Sequence, residues 1–116
     1  MKTMVQPPSD SDIGQDTLTG TVAAGAFVDL PAAHGVAVYP EGGVSGDNVA
    51  IYFGGIYRIV KASGDSAWVI GDIIYLDSAA QEFTLTVSSH NIAGIAARPS
   101  AAGDNTGHVK LVNQVS

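Results

Sequence analysis

The chain predicts an all-β fold: one small jelly-roll-like sandwich or barrel of about nine short strands, with an extended N-terminal arm. Three observations carry this. Helix signals are nearly missing, because the Ala-rich pieces Val22-Ala-Ala-Gly-Ala26 and Ser100-Ala-Ala-Gly103 are short and cut by Gly. Apolar runs suited to strands recur roughly every 8–12 residues between Gly, Pro, Asp and Ser punctuation. Within one run, Phe83, Leu85 and Val87 alternate with Thr84 and Thr86, the period of two that turns one face of a strand inward.

In chain order, residues 1–12 read as the arm and residues 13–116 as the β domain. Pro7-Pro8 lacks backbone donors and favours an extended conformation, and Ser9-Asp-Ser-Asp12 is polar. Strands are then expected at Thr17–Val22, Ala26–Leu30 and Gly35–Tyr39, the last bounded by Pro40. After the turn-rich Glu41–Asp47 comes Asn48–Phe53, joined to Ile56–Lys61 by Gly54-Gly55, which predicts a two-residue hairpin. Ala67–Ile70, Ile73–Leu76, Phe83–Val87, Ile92–Ala97 and Gly107–Val115 complete the set. The Gly-Asp pairs at 46–47, 64–65, 71–72 and 103–104 are irregularly spaced. They read as recurring turn chemistry: Gly accepts a positive φ, and Asp bonds back to nearby backbone.

Composition narrows the function. A single 116-residue domain can bury a core, and 46% hydrophobic residues argue against disorder. Only 14% of residues are charged, fewer than a free monomer's surface normally carries, which suits a protein partly covered by neighbours. Five scattered basic residues against eleven acidic ones, net charge −6, exclude nucleic acid as a partner. No apolar stretch approaches the roughly 18–20 residues that span a bilayer, so no membrane association is expected, nor is an apolar leader visible. The chain has no cysteine, so disulfides and thiol chemistry drop out, in keeping with synthesis in a reducing cytoplasm.

Chemistry-bearing motifs are equally sparse, and the expectation is that no reaction is catalysed and no cofactor or metal is held. His34, His90 and His108 stand singly. Each Gly-Asp supplies one carboxylate where a calcium loop needs several. Gly42-Gly-Val-Ser-Gly46 lacks the Gly-Lys-Ser/Thr ending of a phosphate loop, and no Gly-x-Ser-x-Gly elbow occurs. Trp68, Tyr39, Tyr52, Tyr57 and Tyr75 fill a core or mark a partner surface; for Trp68, core or subunit interface is preferred over a ligand platform.

The run Ala67-Trp-Val-Ile-Gly-Asp-Ile-Ile-Tyr-Leu-Asp77, followed by Ile92-Ala-Gly-Ile-Ala96, Ala101-Ala-Gly-Asp104 and Val109-Lys-Leu-Val112, resembles the capsid decoration, or cement, proteins of tailed phages. So does the opening Met1-Lys-Thr-Met-Val-Gln-Pro7. The chain departs from the family pattern where Ile74-Tyr-Leu76 replaces a Val-Tyr-Trp strand and where Gly94 falls one position late. The resemblance implies a virion protein on the outer surface of an icosahedral head, bound to the major capsid protein and stabilising the shell against internal DNA pressure. It implies a homo-oligomer too, a trimer ahead of a dimer. Contacts with the capsid or a neighbouring subunit are then expected from Met4, Val5, Gln6, Pro7, Pro8 and Trp68, with Met4 and Val5 adding a strand to an exposed sheet edge. A carbohydrate-binding or adhesin-like module on the virion is the alternative. A trimeric deoxyuridine triphosphatase fits less well, since Tyr57-Arg58 is followed by Ile59 where a Tyr-Arg-Gly loop is needed.

Overall fold

The computed structural model describes residues 3–6, 13–30, 35–87 and 90–112. Among these residues ten strands form: β1 (Thr3–Gln6), β2 (Ile13–Thr17), β3 (Ala26–Leu30), β4 (Gly35–Tyr39), β5 (Asn48–Tyr52), β6 (Ile56–Val60), β7 (Ile73–Asp77), β8 (Glu82–Thr84), β9 (Asn91–Ala96) and β10 (Thr106–Leu111). They build two antiparallel sheets, ordered β1-β6-β10-β9-β7-β8 and β2-β5-β4-β3. The all-β expectation holds, and there is no helix among the described residues.

The smaller sheet has Greek-key order, with β3, β4 and β5 as successive neighbours and β2 returning beside β5. The larger sheet curls. Lys61 bridges Phe83 in parallel, and the Ala62 N–H donates to the Phe83 carbonyl at 2.8 Å, so the end of β6 reaches β8. Phe27 of β3 inserts between the sheets, edge-on to Tyr57 at 5.7 Å and to Phe83 at 4.8 Å between ring centroids. Around them pack Val36, Val38, Ile59, Trp68, Ile74, Leu76, Ala93, Ala96, Val109 and Leu111. On the other face of the smaller sheet, Leu18, Ala37, Tyr39 and Ile51 form a second cluster, which explains why all five residues of β4 are buried. Gln81, at φ 54°, ties the sheets together: its side-chain amide accepts from the Phe27 N–H at 2.8 Å and donates to the Phe27 carbonyl at 2.9 Å.

Four details correct the sequence reading. Gly54-Gly55 does not close a hairpin, because β5 pairs with β2 and β4 while β6 pairs with β1 and β10. The two glycines carry the chain from one sheet to the other, with Gly55 at φ 101°. The expected strand Thr17–Val22 gives way to β2 at Ile13–Thr17, paired with β5. Gly14 permits this, for a Cβ there would lie 2.8 Å from the Phe53 ring. Ala67–Ile70 makes only an isolated bridge, Trp68 to Ser100, before turning back at Gly71. β8 stops at Thr84, and the Leu85 N–H goes to the Asp65 carboxylate at 2.9 Å. At the chain end, Val109 and Leu111 face the core as expected, while Val115 lies outside the described residues.

The Gly-Asp pairs all close one kind of turn. Gly46, Gly64, Gly71 and Gly103 have φ between 85° and 92°, and the following Asp N–H bonds the carbonyl three residues back. At Asp47, Asp72 and Asp104 the carboxylate also accepts the N–H of that same residue, Val44, Val69 or Ala101, at 2.8–2.9 Å. Asp65 departs from this pattern.

Candidate functional site

Freed from its own turn, the Asp65 carboxylate accepts three bonds: from Trp68 Nε1 at 3.1 Å, Thr84 Oγ1 at 2.8 Å and the Leu85 N–H at 2.9 Å. Trp68 is only 1% exposed, so its ring offers no open platform to a sugar or a partner. One side covers Gly107, where an added Cβ would collide with Cζ3 of the ring. Lys61 Nζ lies 5.3 Å from the ring centroid. That ammonium is itself buried, donating to Ser100 Oγ at 3.0 Å and to the Ala101 carbonyl at 2.8 Å. The indole thereby anchors the turn that lifts Val69 and Ile70 into solvent, 60% and 69% exposed.

Of the other expected contact residues, Met4, Val5 and Gln6 lie together on one edge. In β1, Thr3 pairs with Arg58, Met4 with Tyr57 and Gln6 with Ile56, and the register shifts between Met4 and Gln6, around Val5. The start of the expected arm therefore lies as an edge strand on the chain's own larger sheet, with Met4 exposed. Pro7 and Pro8 fall outside the described residues.

Beside that edge, the outer face of the larger sheet carries a surface that sequence reasoning missed. Ile56, Lys110, Ile95 and Ile73 stand abreast across β6, β10, β9 and β7. In the next row Arg58 faces His108, and Arg98 follows β9. Burial, then the positive charges of Arg98 and Arg58, holds the His108 imidazole below its ordinary pKa. Ile73, Ile92, Gly94, Ile95 and Val112 line a shallow hollow of about 80 Å³. Gly94 is fixed by close approach, as a Cβ would collide with the Lys110 carbonyl. The available signal was the outward half of each alternation: Ile56, Arg58 and Val60 in one strand, His108 and Lys110 in another.

Among the described residues no three His, Asp or Glu side chains converge as metal ligands; His90 and His108 sit on separate strands or loops, and His34 lies outside the described residues. No described helix is long and apolar enough to cross a membrane. Carboxylates close turns, and aromatic rings fill the core. These features define an all-β protein of two packed antiparallel sheets.

The chain belongs to the phage cement protein family, which it matches over residues 9–111. No curated protein and no solved structure matches it. Membership carries a capsid-associated decoration role in the virion, association with the major capsid protein, and a structural rather than enzymatic family.

Proposed function

We propose that this protein binds the outer surface of an icosahedral phage head and stabilises the shell against the pressure of packaged DNA. The match to the cement family across residues 9–111 carries this reading. The mechanism is linkage: a ligand that binds the expanded shell and not its ruptured form stabilises it by RT ln(1 + [L]/Kd), about 2.7 kcal/mol per site at a hundredfold Kd. A homo-oligomer, with a trimer preferred, grips several capsid subunits and gains avidity because its later contacts are intramolecular.

Within residues 1–12 the strand β1 serves as the grip, an edge strand laid on the larger sheet of the domain of residues 13–116. Met4, Val5 and Gln6 belong to the short edge strand β1. An edge strand of four residues has little to lose by re-pairing on a neighbour. Trp68 acts at one remove, by holding the Val69-Ile70 turn in place. The test mixes protein with expanded, undecorated capsids and follows cosedimentation. Saturable binding supports decoration, and its absence ends the reading. Unchanged affinity after deletion of residues 1–12 removes the N-terminal segment as the main grip.

A further inference from the structure

We propose that the outer face of the larger sheet, the Ile56–Lys110–Ile95–Ile73 row with Arg98 and Arg58 beside it, seats on a carboxylate-bearing protein surface of the capsid shell. The inference rests on the decoration reading and names the face that performs it.

Two independent observations support it. The first is charge segregation. The chain carries net charge −6, yet among the described residues every exposed Lys or Arg side chain (Arg58, Arg98 and Lys110) lies on this face, and the fourth described cation, Lys61, is buried. Random scatter over two sheets would not concentrate the exposed positive charge beside one row of a single sheet. The second is apolar exposure. Ile73 is 52% and Ile95 36% exposed as direct cross-strand neighbours, Val112 is 40% exposed, and they share the hollow floored by Gly94. Ile70, at 69% exposure, lies just before β7, across the Gly71 turn from Ile73. The apolar row has positive charges on its β6–β10 side and the half-buried Asp77 and Glu82 at the far β7–β8 end of the same face, the anatomy of an interface core with a polar rim.

Charge also selects the occupant. A symmetric contact between two copies would gather both sets of Arg58, Arg98 and Lys110 into one interface, a crowding of like charge that disfavours it. A surface rich in Asp and Glu with an apolar centre satisfies both features. The three cations are too few for the phosphate density of a duplex.

Two full-length variants test this: Arg98→Glu with Lys110→Glu, and Ile73→Thr with Ile95→Thr. Glu41→Lys, an exposed change between the strands of the smaller sheet, serves as control. Cosedimentation with expanded capsids is read across a salt series, light scattering gives the oligomer mass, and thermal melting reports the fold. The charge variant is expected to lose roughly tenfold in affinity and most of its salt dependence. The isoleucine variant is expected to lose affinity at every salt concentration. Mass and melting should match the wild type, and the control should bind normally. If wild type binds and both variants bind equally well, the face is wrong and decoration stands. If wild type itself fails to bind, the decoration reading falls first. A drop in oligomer mass in either variant reassigns the face to contacts between copies, and capture of duplex DNA by the wild type through this face overturns the proposal as well.

Discussion

At the scale of single residues, glycines separate two kinds of constraint. Gly103 needs its positive φ of 89° but has open space where a Cβ would go. Gly107 has the reverse problem, because Trp68 fills that space. Gly103→Ala should therefore cost about 1–2 kcal/mol from backbone conformation alone. Gly107→Ala should cost more, about 3 kcal/mol, and should also alter Trp68 fluorescence by displacing the ring. Equal losses, or an undisturbed Trp68 signal in Gly107→Ala, would contradict the packing described. Tyr39 offers a test by pH. Burial first, then its 2.6 Å hydrogen bond to Asp16 and that carboxylate's charge, pushes the phenol up to about 12. A folded pKa above the unfolded value of 10.0 means the stabilisation is whole below pH 10 and is lost as pH rises from 10 towards 12. Tyr39→Phe should cost about 1 kcal/mol at neutral pH and should flatten part of that alkaline decline in denaturant titrations. Tyr57, raised by burial and then by Tyr52, accounts for a remaining part.

At the scale of elements, the turn that breaks its own rule is the one that holds two segments together. Asp104→Ala removes a bond within one exposed turn and should cost under about 1 kcal/mol. Asp65→Ala strands the Trp68 indole N–H, the Thr84 hydroxyl and the Leu85 N–H together, and should cost about 2–4 kcal/mol while red-shifting Trp68 emission in native buffer. Similar losses for the two variants would show that Asp65 is only a turn former. This distinction was invisible in the sequence, where all four Gly-Asp pairs look alike; only the fold brings β8 beside Asp65. Strands with strong local pattern were legible: Ala26–Leu30 and Gly35–Tyr39 match β3 and β4 residue for residue. β2 was not, because Ile13-Gly-Gln-Asp-Thr17 has almost no apolar alternation and owes its state to β5 and to the slot Gly14 leaves for Phe53. Gly54-Gly55 misled for a related reason. Local turn chemistry states that the chain bends, and the choice between pairing back and crossing to a second sheet is made by long-range packing.

For the whole molecule, the candidate surface was the least legible part, because it needs strands distant in sequence to be laid abreast. Ile56, Lys110, Ile95 and Ile73 span more than fifty positions of chain yet form one row. The motifs that resembled the cement family, by contrast, were local and read directly from residues 67–77 and 92–112, which is why family was accessible where the docking face was not. Decoration then has a quantitative consequence. If the protein stabilises only the intact expanded shell, the temperature at which undecorated heads rupture should stay flat while free protein is far below Kd. Above Kd it should climb in proportion to the logarithm of free concentration, since each tenfold rise adds about 1.4 kcal/mol per site. The double variant Arg98→Glu with Lys110→Glu should shift the whole curve to roughly tenfold higher concentration without changing its slope, because it alters affinity and leaves the number of sites alone. A rupture temperature that ignores concentration while the protein demonstrably coats the shell would mean that it binds intact and ruptured shells alike, and that it covers the head without strengthening it.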